Sequence, residues 1–215
     1  NLVSKLNQAI KLSWGPFMYE IVLNKKEIGK NIAAKMSSYY ILILFIGCTS
    51  ISLFVDDFVS FTENTKYLPI VDIIPYITFI FFIGSLNVYL APGIVMSKKT
   101  KLLIYPNIAY FLCILGFGFL LITNYQINGI IFSRFLGQLT FLISSIYLSK
   151  KLYYWNSQFR LVAILSMFYF VIIYSRNLIV FGGLVTGILI DIGFLIFVTV
   201  ISLFVIKKLN SLYYK

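Results

Sequence analysis

Four ionisable residues and one amide fall within stretches read as helices: Lys5, Gln8 and Lys11 in an amphipathic one near the start, and Arg134 past the middle and Asp191 near the end in apolar ones. A charge inside a membrane span costs about 2.5 to 3.5 kcal/mol on insertion scales, so such groups face a bundle interior, a counter-charge or a water-filled cavity. Lys5 and Lys11 are six residues apart, about 9 Å along a helix, with Gln8 between them on one polar stripe. That stripe suits an anionic head group, with snorkelling of Lys5 to the interface as the alternative. Arg134 lies more than one turn into its apolar stretch beside Ser133 and Gln138, and a planar guanidinium matches phosphate bidentately. An ion pair between Arg134 and Asp191 would account for both charges without a ligand. Standing alone, Asp191 could instead carry a coupling proton or sodium ion. Glu20 and Asp72 fall near helix ends, where solvation is at hand, and read as structural.

The residue inventory excludes other chemistry. There is no histidine, and the two cysteines, Cys48 and Cys113, sit in apolar runs without a Cys-x-x-Cys spacing, so neither a zinc site nor histidine-based catalysis is expected. No nucleophile with a partnered base, glycine-rich phosphate loop or metal-ligand constellation is visible. The chain is therefore expected not to be an enzyme and to need no cofactor or metal.

The elements that must position these residues follow from composition. The 215 residues are 60% hydrophobic and 12% charged with a mean hydropathy of +0.93, far from the roughly 25% charged residues of soluble domains. A bilayer core needs about 20 apolar residues of helix to cross it, and several such runs occur. They lack the polar and apolar alternation of barrel strands, so all are read as helices. The expected fold is an all-α polytopic transmembrane bundle of about seven helices. These are an amphipathic helix over Leu2 to Leu23, then spans over Ser37 to Val55, Pro69 to Met96 (interrupted by Pro75 and Pro92), Leu102 to Thr123, Gly129 to Leu148, Leu161 to Tyr174 and Ile179 to Ile206. Between them lie a loop or short surface helix at Asn24 to Lys35, an acidic loop from Asp56 to Lys66, a basic turn at Lys98 to Lys101, a neutral turn at Asn124 to Asn128, a polar aromatic stretch at Tyr153 to Arg160, and a break at Ser175 to Asn177. Tyrosine and tryptophan clusters at span ends read as interfacial belts, with sugar stacking as a lesser alternative.

Of the 18 basic residues, thirteen fall in one alternating set of loops and only Lys66 and Arg176 in the other. Basic residues in short loops stay cytoplasmic, which places the C-terminus in the cytoplasm. The formal net charge of +11 is thus read as topology-setting rather than as a nucleic-acid surface. Residue 1 is Asn, and no cationic start precedes an apolar core, so the sequence is expected to be the C-terminal part of a longer protein.

Leu6-Asn7-Gln8 leading to Trp14-Gly15-Pro16-Phe17-Met18-Tyr19-Glu20 resembles the end of the eighth helix of bacterial polysaccharide flippases, the Wzx-type O-antigen or capsule repeat-unit flippases of the MATE-like MOP superfamily. The acidic loop, Tyr67, and a long span ending in Gly93 and Lys98-Lys99-Thr100-Lys101 are similar to that family's helix ten and its basic turn. Asn128-Gly129 resembles the entry to helix twelve, although Ile130 to Ser133 depart from the small residues usual there. The resemblance implies that 1–150 forms helices 8–12 of the C-terminal half of a 12–14-helix transporter and that 151–215 adds two helices. It implies a bacterial inner-membrane flippase that carries polyprenyl-pyrophosphate-linked oligosaccharide to the outer leaflet for lipopolysaccharide or capsule biosynthesis. The expected partners are the lipid-linked oligosaccharide, membrane lipids, a proton or sodium gradient and other polysaccharide assembly proteins, with no nucleic acid. Lys5, Gln8, Lys11 and Arg134 would be this chain's share of a cationic central cavity. The alternatives are a MATE-like multidrug exporter and a membrane glycan-assembly enzyme, a polymerase or acyltransferase.

Overall fold

The computed structural model describes residues 2–62, 65–152, 159–178 and 184–213, and among them every regular element is helical. The helices are α1 (Leu2–Phe61), α2 (Leu68–Val71), α3 (Ile74–Ser85), α4 (Asn87–Leu90), α5 (Gly93–Met96), α6 (Ile104–Leu152), α7 (Phe159–Leu178) and α8 (Leu184–Tyr213), with short 3-10 turns at Thr65–Tyr67 and Thr100–Leu103. Among the described residues five stretches are long and apolar enough to cross a membrane: Asn31–Phe61, Pro69–Met96, Thr100–Leu152, Phe159–Arg176 and Gly187–Phe204. The all-α bundle expected from the sequence is therefore the observed class.

Local details differ from the sequence reading. Of the two readings of Asn24 to Lys35, a loop or a short surface helix, the stretch is helical, but as part of α1, which runs unbroken to Phe61 and takes in Asp56 and Asp57. The lysines, Glu27, Ala33 and Ala34 are good helix formers and outnumber the weaker Asn24, Gly29 and Asn31. The break expected at Ser175 to Asn177 is likewise absent, because α7 stays helical to Leu178. Most of the polar aromatic stretch, 153–158, and the start of the last expected span, 179–183, lie outside the described residues.

The 49 residues of α6 contain one non-helical position, Gln126, at φ 46° and ψ −122°. There the chain reverses into a helical hairpin. Ring contact joins Tyr110 to Phe141, Thr140 Oγ1 donates to Cys113 Sγ at 3.5 Å, and Gly129 backs onto the Leu121 carbonyl. These pairings close symmetrically on Tyr125 and Gln126. A Cβ on Gly129 would lie 2.5 Å from the Leu121 oxygen, so the two arms approach at a distance only glycine allows. The stretch Thr100–Leu152 therefore supplies two helices of crossing length.

The span Pro69–Met96 is interrupted three times, at Asp72 and Ile73, at Leu86, and at Ala91 and Pro92. Proline lacks an N–H and disfavours helix at the preceding residue; α2 gives way to α3 at Asp72 and Ile73, just before Pro75, and Ala91 leaves helical geometry at φ −127° before Pro92.

The chain forms two compact units. The first comprises 1–37 and 80–157. Its core includes Trp14, Met18, Phe82, Leu86, Tyr89, Ile94, Leu142 and Ile146. Trp14 and Tyr89 are in ring contact at 5.6 Å, and Gly93 N–H donates to Ser149 Oγ at 2.8 Å. The second unit comprises 38–79 and 158–215, with Ile41, Leu44, Phe45, Leu53, Phe79, Leu161, Leu165 and Tyr169 in its core.

Candidate functional site

In the second unit an ion pair is sealed among apolar helices. Asp191, on the second turn of α8, is fully buried, and Arg176, in the last turn of α7, is 7% exposed. Arg176 Nε donates to Asp191 Oδ1 at 3.0 Å and Oδ2 at 3.2 Å, and Nη2 donates to Oδ2 at 3.1 Å. The fork geometry makes this a charge-assisted, two-pronged contact. Arg176 Nη1 also lies 3.5 Å from Asp56 Oδ2 on α1, so one guanidinium ties carboxylates from two other helices. Asp57 adjoins Asp191 as a third carboxyl. The cluster thus holds more carboxyl than cation.

A hydroxyl network lies beside this pair. Tyr169 OH on α7 donates to the Pro75 carbonyl at 2.6 Å and is 2.6 Å from Ser52 Oγ and 2.8 Å from Thr78 Oγ1, while Ser52 and Thr78 are themselves 2.6 Å apart. Each hydroxyl has a single proton and backbone carbonyls of its own within reach: Ser52 can donate to Cys48, and Thr78 to Ile74 or Pro75. Phe79 stacks on the Tyr169 ring at 5.1 Å and holds it in place.

Both features border one cavity of about 420 Å³, lined by Ser52, Asp56, Asp72, Pro75, Tyr76 and Arg176 together with Val55, Val71 and Ile173. The turn between α2 and α3 borders it through Val71, Asp72 and Pro75. Carboxylates, a guanidinium, a hydroxyl and a tyrosine ring converge there. Such a lining can hold a cation or relay a proton.

The residues singled out from the sequence fall differently. Asp191 belongs to this site, and its ion-pair partner is Arg176, not Arg134. Arg134 and Gln8 are exposed and lie in the first unit, with no hydrogen bond or ion pair among the described residues. Ser133 turns inward and donates to the Ile130 carbonyl, while Gln138 packs across Gly84. Lys5 and Lys11 lie on α1, but their side chains are outside the described residues. Among the described residues no group of three metal-ligating side chains forms.

Sequence reasoning missed Arg176, Asp56 and the Ser52, Thr78 and Tyr169 hydroxyls. Asp191 held the signal for the first: a carboxylate two turns inside an apolar helix demands a cation at similar depth, and Arg176 is the nearest basic residue along the preceding chain. Comparison with protein-family models, with curated proteins and with solved structures returns no match.

Proposed function

We propose that this chain is part of an inner-membrane transporter that flips an anionic, polyprenyl-pyrophosphate-linked oligosaccharide to the outer leaflet. One observation carries the transport reading: a crossing-length helix breaks at a cavity walled by a buried ion pair and further carboxylates. Interrupted spans and intramembrane charges mark ion and substrate pathways, because each is costly in lipid unless a cavity or partner receives it. Asp191, Asp56 and Asp57 around Arg176 are the groups on which a proton or sodium gradient would act.

The substrate rests on the sequence resemblance. Two of its segments, Trp14 to Glu20 and the stretch from α4 to the Lys98 to Lys101 turn, belong to one compact unit and touch through Trp14 and Tyr89. The distribution of basic residues along the sequence supports a cytoplasmic C-terminus, with Lys25, Lys26, Lys30 and Lys35 carried within α1 rather than in a loop and Arg176 buried.

The acidic lining of the cavity favours one second reading, a MATE-like exporter of organic cations. Deleting the full-length gene in its host separates the two. Flipping requires surface glycan to fall while lipid-linked repeat units accumulate on the cytoplasmic leaflet. Unchanged glycan together with hypersensitivity to cationic compounds would overturn it in favour of export.

A further inference from the structure

A second cavity, of about 280 Å³, lies in the first unit and is almost wholly apolar: Trp14, Gly15 and Met18 on α1 face Val95, Met96 and Leu103 across it. Its rim has the opposite character. The turn joining Met96 to Leu103 carries Lys98, Lys99 and Lys101, all exposed. The backbone of that turn is fixed. Lys99 N–H bonds the Ile94 carbonyl at 3.2 Å and Lys98 N–H bonds the Val95 carbonyl at 3.0 Å, a helix-ending pair that requires left-handed backbone at Lys98, where φ is 57°. Glycine is the usual occupant of such a position. A lysine held there in spite of the steric cost points to a use for its charge.

The geometry points to a site for one anionic phospholipid of the bilayer, with an acyl chain in the Trp14 and Met18 slot and its phosphodiester at the Lys98 to Lys101 turn. Basic clusters beside membrane helices attract anionic head groups, and an apolar slot beside such a cluster accepts the attached chain. The charge of the turn selects a phospholipid of net negative charge over a zwitterionic one, whose head-group cation offsets its phosphodiester. Bulk phospholipid also outnumbers any rarer lipid in the leaflet. The site shares no lining residue with the Arg176 cavity, and its lipid is independent of what the transporter carries.

Two substitutions test it without threatening the fold. Lys98→Gly suits the left-handed backbone, and Gly15→Leu points into open space, since a Cβ there meets nothing within 4 Å. Native mass spectrometry of the purified full-length protein would compare retention of phosphatidylglycerol and phosphatidylcholine with matched acyl chains. Wild type should hold phosphatidylglycerol at least tenfold more tightly. Lys98→Gly combined with Lys99→Gln and Lys101→Gln should erase that preference, Lys98→Gly alone should reduce it about threefold, and Gly15→Leu should weaken retention of both lipids. Equal retention of the two lipids by wild type, a preference that survives the triple substitution, or unchanged retention in Gly15→Leu would overturn the proposal. So would displacement of the lipid by chain-free glycerol phosphate, which would make this a phosphate site, or stoichiometric displacement by a polyprenyl phosphate, which would make it a substrate site.

Discussion

Arg176 holds carboxylates from two helices, and the cost of leaving any of them alone governs what substitution does at this site. Removing one partner of a buried ion pair costs about 3 to 5 kcal/mol, because the other charge stays buried without compensation. Asp191→Ala and Arg176→Ala should each lower the melting temperature of the detergent-solubilised protein sharply. Arg176→Met combined with Asp191→Leu should recover much of that loss, and a double variant as unstable as the sum of the singles would show that the two residues do not act as a pair. Tyr169→Phe should cost about 1 kcal/mol, the net worth of a buried hydrogen bond, since Thr78 can still donate to the Pro75 carbonyl. The sequence made Asp191 legible as a costly charge in an apolar helix. It did not identify the partner, because hydropathy counting stops a span at the first charge and so assigned Arg176 to a loop. An arginine one turn from a helix end can remain helical and turn its long side chain inward to a carboxylate.

At the scale of elements, the hairpin in α6 was the most legible feature, since Asn124 to Asn128 is the one polar interruption between two apolar runs. Its turn residue was not legible. Gln126 adopts a backbone normally taken by glycine, at a cost on the order of 1 kcal/mol or more. Gln126→Gly should therefore raise the melting temperature. Gly129→Ala should lower it by an amount matching about 1 to 3 kcal/mol of overpacking against the Leu121 carbonyl, whereas Gly116→Ala, with no neighbour within 4 Å, should be neutral or gain up to about 1 kcal/mol of helix propensity. Equal effects at Gly129 and Gly116 would contradict the close approach of the two arms. The prolines were readable as interruptions in the span Pro69–Met96, but not the cavity at the first break, because a break becomes a site only when other helices bring polar groups to it.

At the scale of the whole molecule, the class of fold was fixed by composition: too little charge for a soluble surface, with apolar runs of crossing length. The substrate is another matter. The cationic stripe at Lys5, Gln8 and Lys11 and the exposed Arg134 are residues that hydropathy could identify, but the polar centre that packs together in the second unit is mainly acidic and was built from residues of four different helices. On the proposed function, cation coupling and anion carriage would rest on different residues, and substitutions should separate them. Arg134→Ala should slow transport of an anionic substrate with little loss of stability, because its side chain is exposed, whereas Asp56→Asn should alter the dependence of transport on an ion gradient. Gradient-driven flipping can be measured by reconstituting the full-length protein in liposomes containing a fluorescent polyprenyl-pyrophosphate oligosaccharide on both leaflets, with a membrane-impermeant quencher added outside. An imposed proton or sodium gradient should drive net movement of the probe between leaflets, and Asp191→Asn should abolish the response to the gradient. A leaflet distribution identical to that of protein-free liposomes, with or without the gradient, would contradict gradient-driven flipping.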